Sequence, residues 1–389
     1  MNPWQQLLAC LPAPPDFAFD FDALAQTPIG PHLAKMAQTE QNPVFHGEGD
    51  VLAHTVAVCE QLCTLDAFRA LDEQQRIALS VAALLHDIGK PRTTKLEDGV
   101  WVSPGHSVTG AHIARKLLWQ EFDLCGTPEK QQLREAICLL VQHHMYPVHA
   151  LEPDDPMRKL VRIAVGAQLA PLFSLHLLSL LSTADTLGRI APDTQEFLSS
   201  VELFTQLADE AGCLHVPLAF TSDHAQHAYL AGRNALPDQP LFDDSWGEVI
   251  LLSGLPGTGK DTWIREHYPD LPMVSMDELR KSMNVRPTDD QGRVAQAAQE
   301  ACRVHLRAKQ PFIFNTTSLT PMMRGKSIRL FERYNARVRI VYLETDWEEQ
   351  LRRNAARTAV VPESAIDRML DTLIPPERHE AQTVEWVCR

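Results

Sequence analysis

The sequence lacks long hydrophobic runs, paired cysteines and an excess of basic residues, which excludes several large classes of protein. No apolar run reaches the roughly 18 to 20 residues that span a bilayer, and the first residues lack the basic start and apolar core of a signal peptide. We therefore expect a cytoplasmic protein with no membrane partner. The eight cysteines are scattered, and only Cys59 and Cys63 are close in sequence, which argues against a disulfide framework or a zinc ribbon.

Acidic residues outnumber basic ones, but the excess is confined to one part of the chain. The formal net charge is −14. Residues 1–247 contain 15 Lys and Arg residues against 30 Asp and Glu residues, whereas residues 248–389 contain 21 against 20. Because nucleic-acid phosphates require a basic surface, the acidic part should not bind a long duplex. If either part binds a polynucleotide, we expect it to hold a terminus through a few arginines and metal sites.

Strand signals are almost absent from residues 45–210, where apolar residues follow a helical period. Helices are expected at residues 50–65, 72–86, 106–122, 129–144 and 194–211, with the same pattern continuing through residues 160–187. Residues 212–246 are irregular and contain several Gly and Pro residues, which is typical of a connecting segment. The expected first domain is therefore residues 1–211, with its core at about 45–210.

Beyond residue 246, short apolar runs alternate with helical stretches. Strands are expected at residues 249–253, 273–276, 312–314 and 338–343, and helices at 291–309 and 347–357. This alternation predicts a parallel sheet with crossover helices. The expected fold class is thus multidomain, with an all-α domain followed by an α/β domain at residues 247–389.

Histidines and aspartates recur through the helical part in the order H, HD, H, H, D. The set is His54, His86, Asp87, His106, His144 and Asp185. Imidazole and carboxylate groups bind divalent transition metals, and Lys90 can neutralise a nearby phosphate oxygen. A metal held in this way activates water and polarises a phosphoryl group, so phosphoester hydrolysis is the expected chemistry. Any one of these residues alone fits a helix cap or a core histidine equally well; the joint pattern favours a metal site.

This ordered set resembles the HD phosphohydrolase superfamily over about 150 residues, and especially the HD domain of some bacterial CCA-adding enzymes. The matching phrases include Leu85-His-Asp-Ile-Gly-Lys90 and Ala184-Asp185. The resemblance implies catalytic roles for Asp87 and Lys90, and substrates with 2′,3′-cyclic or 2′-phosphates. It implies one or two divalent ions of the Mn, Ni, Co, Fe or Zn class, with a primary site formed by His54, His86, Asp87 and Asp185. His106 and His144 complete a second site or contact the scissile phosphate. The offset to Pro147 selects His144, and His143 is the fallback ligand.

A glycine-rich loop follows the first expected strand of the second part. It comprises Gly254, Leu255, Pro256, Gly257, Thr258, Gly259 and Lys260. Such a loop between a strand and a helix is typical of a Walker A motif, in which backbone amides surround the phosphates of ATP or another NTP and the lysine reaches the β- and γ-phosphates. The next residue is Asp261, where most such loops have Ser or Thr for Mg²⁺. Either Asp261 serves Mg²⁺ or Thr262 takes over that role, and we favour Asp261.

Three later phrases predict an acceptor site and a lid. Asp277-x-x-Arg280 follows the second expected strand, Thr316 lies in Asn315-Thr-Thr-Ser-Leu-Thr-Pro321, and Arg353 and Arg357 share one helical face. Together they resemble the 5′-OH polynucleotide kinase family over about 140 residues. The resemblance implies that Asp277 is the general base, that Arg280 and Thr316 bind the acceptor, and that both lid arginines bind the nucleotide. Lys260 and Arg357 also act in catalysis. The plainer alternatives are a helix N-cap for Asp277 and a solvated basic face for the arginines.

The order of the two parts resembles the bacterial HD-Pnk RNA end-healing enzymes. The resemblance implies that one site removes a 2′,3′-cyclic or 2′-phosphate from a broken end and the other phosphorylates a 5′-OH. The implied partners are RNA or DNA ends, such as those of broken tRNA, an NTP, and an RNA ligase that joins the healed ends. Two alternatives stay open: a nucleotide phosphohydrolase fused to a nucleoside or sugar kinase, and a non-enzymatic ATP-binding module with a degenerate HD fold.

Overall fold

The computed structural model describes residues 1–233, 236–286, 289–357 and 359–389, which form two compact units. The first unit comprises Met1–Cys125 and Glu129–Leu218, and the second comprises Gly126–Pro128 and Ala219–Arg389. The helix Asp223–Leu230, within the expected connecting segment, lies in the second unit. None of the helices in these described ranges is both long enough and apolar enough to cross a membrane.

The first unit is built mainly of helices, as the apolar period predicts. Asp50 and Asp72 each accept a hydrogen bond from a backbone amide in the first turn of the helix that follows them, so both act as N-caps. The pattern at residues 160–187 is divided between two helices, with Pro171 in the break. The α-helices are Pro3–Ala9, Phe21–Leu24, Gly30–Met36, Val51–Thr64, Asp66–Arg69, Glu73–Leu85, Lys90–Thr93, His106–Gln120, Pro128–His143, Pro156–Gly166, Leu175–Leu187 and Thr194–Glu210, with 3₁₀ turns at Pro147–His149 and Ala167–Leu169.

Three of these helices pack against one another at the centre of the unit: Val51–Thr64, Glu73–Leu85 and Leu175–Leu187. Residues 78–85 of the second helix are all buried, so this helix is surrounded by protein over its last two turns. The three helices also carry, or lead directly into, most of the histidines and aspartates singled out above. The hydrophobic core therefore fixes the relative positions of these polar side chains.

A short hairpin interrupts the helical unit, and it was not expected. Strands β1 (Lys95–Glu97) and β2 (Val100–Val102) pair antiparallel across a two-residue turn. The turn residues Asp98 and Gly99 have φ angles of 49° and 81°. Asp-Gly is a preferred sequence for a two-residue hairpin turn. This dipeptide could have predicted the hairpin, but it lies in a region where the apolar residues follow a helical period.

The second unit contains a five-stranded sheet in which each pair of neighbouring strands is parallel. The strands are β3 (Glu248–Ser253), β4 (Met273–Ser275), β5 (Phe312–Asn315), β6 (Arg337–Glu344) and β7 (Thr383–Cys388), in the order β4-β5-β3-β6-β7. The expected parallel sheet is confirmed. Strand β7 was not expected, because most of its residues are only half-buried and give a weak apolar signal. The helices are Asp223–Leu230, Lys260–His267, Met276–Ser282, Gly292–Arg307, Pro321–Glu332, Trp347–Ala355 and Glu363–Leu370.

Candidate metal centre and phosphate-binding loop

Asp87 lies between two sets of histidines in the first unit. Its Oδ2 lies 3.7 Å from His54 Nε2 and 3.3 Å from His86 Nε2. Its Oδ1 lies 3.4 Å from His106 Nε2 and 3.9 Å from His144 Nε2. Within each set, the potential ligand atoms lie within 4.8 Å of one another. One carboxylate is thus placed to serve two cation sites.

The surroundings of Asp87 fit a bound cation. The residue is buried, and neither carboxylate oxygen accepts a well-oriented hydrogen bond from the described part of the chain, although Lys90 Nζ lies 2.7 Å from Oδ2. His86 Nε2 is likewise buried without a hydrogen-bond partner among these residues. A buried polar atom without a hydrogen-bond partner destabilises the folded protein. A bound cation would supply the missing partner for these atoms.

Three of the histidines share one orientation. In His86, His106 and His144, Nδ1 donates a hydrogen bond to the main-chain carbonyl three residues earlier, at 2.8, 2.9 and 2.8 Å. Since a carbonyl can only accept, Nδ1 carries the proton and the lone pair is on Nε2, which faces Asp87. Metal-binding histidines are commonly fixed in this way by a second hydrogen bond.

His54 is held differently, by a residue that sequence reasoning missed. Its Nδ1 lies 2.9 Å from Oε1 of Glu48, and its Nε2 lies 3.0 Å from Oδ1 of Asp185. Glu48 also contacts His46 Nδ1 at 2.8 Å and accepts a hydrogen bond from the Ile190 amide. A carboxylate behind a histidine makes the imidazole a stronger metal ligand. The available signal was a lone acidic residue between two glycines just before the His54 helix.

The electrostatics of Asp87, Asp185 and His144 favour the protonation states that bind cations. Burial by itself raises the pKa of Asp87, but Lys90 and the nearby histidines outweigh it and hold this pKa well below its usual range. Burial alone would likewise raise the pKa of Asp185, but Arg189 and His54 hold it well below its usual range. Burial, reinforced by two neighbouring imidazoles, lowers the pKa of His144 to about 3. Near neutral pH the site therefore presents ionised carboxylates and a neutral imidazole, as metal binding requires.

All six residues predicted to bind metal lie in this cluster, whereas the fallback residue does not. His143 Nε2 contacts Gln142 Nε2 at 3.3 Å, and His143 belongs to neither potential ligand set around Asp87. The metal-binding roles themselves remain predictions. A cavity of about 560 Å³ opens beside Asp87 and Lys90, and its wall includes Trp101, Arg189 and Phe197. It leaves room for an organic group attached to a phosphate.

The glycine-rich loop of the second unit has the backbone of a phosphate-binding loop. Gly254 and Gly259 have φ angles of 139° and 89°. A Cβ atom on Gly254 would lie 2.4 Å from the Leu343 carbonyl oxygen, so only glycine fits there. Lys260 begins the helix Lys260–His267, and its Nζ donates hydrogen bonds to the carbonyls of Gly254 and Leu255, each at 2.8 Å.

The middle of the loop is fixed by contacts with the helix Trp347–Ala355 and by contacts within the loop. Gln350 donates a hydrogen bond to the Pro256 carbonyl at 3.1 Å, and a Cβ atom on Gly257 would lie 2.7 Å from the Gln350 carbonyl oxygen. The Thr258 hydroxyl donates to the Leu255 carbonyl at 3.0 Å. These contacts with the protein hold the loop in shape.

Asp261, the atypical residue of the loop, faces the sheet. Its Oδ1 accepts a hydrogen bond from Nδ2 of Asn315, the last residue of β5, at 2.7 Å. The Thr262 hydroxyl instead accepts a hydrogen bond from Arg265 on the exposed surface of the helix, at 3.1 Å. The geometry therefore supports Asp261 rather than Thr262 as the candidate Mg²⁺ ligand, which remains a prediction.

The predicted general base lies between two arginines. Asp277 is 62% exposed, forms an ion pair with Arg280, and lies 3.6 Å from Arg357 Nη2. The alternative role of Asp277 as an N-cap is wrong, because the side chain of Ser275 caps this helix. Arg280 lies on the helix Met276–Ser282, whereas Arg357 lies two residues beyond the end of the helix Trp347–Ala355. The prediction that Arg353 and Arg357 share one helical face is therefore wrong, because the helix ends before Arg357.

Arg353 and Thr316, which are predicted to contact the nucleotide and the acceptor, lie in the same unit. Arg353 pairs with Glu349 at 2.6 Å, and its Nη1 lies 3.4 Å from where a Cβ atom on Gly259 would be, so it sits beside the phosphate loop. Thr316 follows β5 and accepts a hydrogen bond from the Ser318 hydroxyl at 3.4 Å. The ends of β3, β4 and β5 therefore bring the predicted donor and acceptor residues to one edge of the sheet.

Two family models match the chain. Residues 51–165 match the HD domain, and residues 249–376 match the AAA domain. The chain joins an HD domain to a P-loop kinase-like domain. The expected fold class is therefore confirmed. An HD domain implies a divalent metal, which the sets around Asp87 fit, and a P-loop kinase domain implies an NTP with Mg²⁺.

Individual relatives are distant. The chain is 27% identical over 180 residues to heterogeneous nuclear ribonucleoprotein U-like protein 2 of Mus musculus, in a match that covers 42% of this chain and 24% of that protein. It therefore spans about a quarter of the length of this curated relative. A gluconokinase from Sinorhizobium meliloti 1021 is 21% identical, with a TM-score of 0.28, and the match covers 37% of this chain and 85% of that one. A likeness this weak supports no conclusion about substrate.

Proposed function

We propose that this chain is a bifunctional enzyme that heals the ends of broken RNA, such as cleaved tRNA, in the cytoplasm. The HD domain removes a 2′,3′-cyclic or 2′-phosphate from one end. The P-loop domain transfers the γ-phosphoryl group of ATP or another NTP to the 5′-OH of the other end. An RNA ligase is the partner that would then join the two ends.

The observation that carries this proposal is the position of Asp277 beside Arg280 and Arg357. A carboxylate can accept the proton of an attacking hydroxyl, and a guanidinium group can bind a phosphate. The 5′-terminal nucleotide of a polynucleotide offers both groups at once, a 5′-OH and the phosphate that follows its ribose. An unphosphorylated sugar or nucleoside offers only the hydroxyl and no phosphate for Arg280 to bind.

In the transfer step, Asp277 takes the proton from the 5′-OH as the 5′ oxygen bonds to the γ-phosphorus. The bond between that phosphorus and the β,γ-bridging oxygen breaks, and the NDP leaves. Lys260, Arg353 and Arg357 would stabilise the charge on the transferring group. Asp261 would hold Mg²⁺, which neutralises phosphate charge when bound.

In the HD domain, Asp87, Asp185 and the four histidines would hold the divalent ions, which supply an activated water and polarise the phosphoryl group when bound. Lys90 and Arg189 line the adjacent cavity as fixed positive charges for the remaining phosphate oxygens. The match to a protein named as a ribonucleoprotein supports RNA as the substrate.

A single RNA with a 5′-OH and a 2′,3′-cyclic phosphate tests both activities when both termini are analysed by mass spectrometry. Asp277→Asn should lower 5′ phosphorylation by about 10²- to 10⁴-fold and leave the other end unaffected, whereas Asp87→Asn should do the reverse. Each variant is thus the control for the other.

Two results would contradict the proposal. Phosphorylation of a free sugar or nucleoside without phosphorylation of RNA would favour the metabolite-kinase alternative. Absence of both reactions, together with no difference in bound metal between wild type and His86→Ala, would favour a non-enzymatic module.

A further inference from the structure

A basic groove lies between two helices of the second unit, Gly292–Arg307 and Pro321–Glu332. It is a concavity of about 170 Å³ lined by Gln299, Arg303, Lys326, Arg329, Leu330 and Arg333. Four of these six residues are basic and none is acidic. The groove is therefore a local concentration of positive charge in a chain whose net charge is −14.

The charges of the groove are poorly compensated. Lys326, Arg329 and Arg333 lie at positions i, i+3 and i+7, on one face, and all three are exposed. They form no ion pair with the residues that the structure describes, and two arginines at i and i+4 repel each other. Only Arg303 has a carboxylate partner, Glu300, at 3.1 Å. An anionic ligand would relieve this repulsion.

The chain connects the groove to the predicted acceptor site. The helix Pro321–Glu332, which lines the groove, follows Thr316 in the sequence. Measured from Pro321 along the helix axis at about 1.5 Å per residue, Lys326 lies about 8 Å away and Arg333 about 18 Å away. The interval between them is about 10 Å, which matches about three phosphates at the roughly 3.4 Å spacing of a stacked strand.

We propose that this basic groove binds the backbone phosphates of single-stranded RNA, several nucleotides downstream of the 5′-OH that is phosphorylated. The inference rests on the proposed polynucleotide kinase activity. A protein interface normally has an apolar or aromatic centre, whereas Leu330 is the single apolar residue lining this groove. The groove therefore suits a regularly charged backbone better than a folded protein surface.

Salt dependence of RNA binding tests the proposal in the full-length protein. The probes are a 12-nucleotide and a 2-nucleotide single-stranded RNA, both 5′-phosphorylated to prevent turnover, with binding followed by fluorescence anisotropy. If the variant K326Q/R329Q/R333Q loses three phosphate contacts, the slope of log K against log salt should fall by about 2 for the longer RNA. Between 50 and 200 mM salt, wild type should then lose about 20-fold more affinity than the variant.

Two controls separate a direct contact from a structural effect. Arg307→Gln removes an arginine from the neighbouring helix, outside the groove, and should leave the slope unchanged. The 2-nucleotide RNA is too short to reach the groove, so its affinity should be the same for wild type and the triple variant. Weakened binding of both RNAs to the triple variant would indicate damage to the fold and contradict the proposal.

The remaining outcomes distinguish this inference from the proposed function. One such outcome is that the triple variant shows an unchanged salt slope and also phosphorylates the 5′-OH form of the 12-nucleotide RNA with an unchanged KM. That result would overturn the role of the groove and leave the kinase assignment intact. A reduced slope in a protein without RNA kinase activity would support the groove as an RNA site and refute the kinase assignment. Equal displacement of RNA by a polyglutamate peptide would indicate an acidic protein ligand and overturn the proposal.

Discussion

The contact between Glu48 and His54 gives a quantitative test of the metal centre. Glu48 Oε1 lies 2.9 Å from His54 Nδ1, and both side chains are almost fully buried. The other three histidines of the cluster donate to main-chain carbonyls, which are neutral. In this cluster, only His54 therefore has a carboxylate beside its Nδ1, which makes the imidazole more basic. The substitution Glu48→Gln removes that charge while it keeps the shape of the side chain.

Replacement of a group that supports a metal-binding histidine typically lowers metal affinity by 10- to 100-fold. This corresponds to about 1.4 to 2.7 kcal/mol. The change should affect mainly the set that contains His54, His86 and Asp87, because Glu48 does not contact His106 or His144. We therefore expect one of two ions to be lost first as the free metal concentration is lowered.

Isothermal titration with Mn²⁺ or Zn²⁺, with the metal content of the purified protein measured in parallel, would detect this loss. Glu152→Gln is a matched control, because Glu152 contacts His149 Nδ1 at 2.6 Å in the same way but lies on the surface, 71% exposed. It should bind metal like wild type. Equal affinity of the Glu48→Gln variant and wild type for both ions would refute the role of Glu48.

Three further predictions concern the P-loop domain. Arg324 is fully buried and pairs with Glu380 at 2.7 Å, so Arg324→Met should lower the free energy of unfolding in urea by about 3 to 5 kcal/mol. The control Arg352→Met removes an exposed ion pair and should leave the unfolding midpoint unchanged. Gly254→Ala places a Cβ atom 2.4 Å from a carbonyl oxygen and should abolish NTP binding in titration calorimetry without unfolding the HD domain. Burial lowers the pKa of Lys260 to about 8, so this lysine loses its charge above that pH. The affinity of wild type for NTP should therefore fall about tenfold between pH 7 and pH 9, whereas the affinity of Lys260→Met should not change over this range.

The candidate metal centre was largely predictable because its residues form an ordered motif on apolar helices. His54, His86 and Asp185 lie on or beside three helices that pack together, and the many buried residues of these helices fix the positions of the motif residues. Glu48 was not predictable in the same way, since it lies in a turn with no period. Its side chain reaches His54 only because the flanking glycines, Gly47 and Gly49, and the Ile190 amide fix the path of the turn.

Prediction was weaker where local structure depends on distant parts of the chain. Strand β7 is stabilised by its pairing with β6 along six residues, and that partner lies about 40 residues earlier. The role of Ser275 as the N-cap was also hidden, because Asp277 two residues later is an equally good capping residue by type. Only the backbone geometry at the end of β4 decides between them.

The position of Asp261 links the atypical residue of the phosphate loop to the acceptor side of the sheet. A Ser or Thr at this place offers one neutral oxygen, whereas a carboxylate offers two charged ones and must be compensated. Asn315 compensates part of that charge through its hydrogen bond to Oδ1, which leaves Oδ2 for a cation. Asn315 is also the residue just before Thr316, so a cation held by Asp261 would lie next to the predicted acceptor contact. Loss of the amide in Asn315→Leu should therefore impair Mg²⁺-dependent NTP binding more than Mg²⁺-independent binding, and equal losses in both would contradict a metal-facing Asp261.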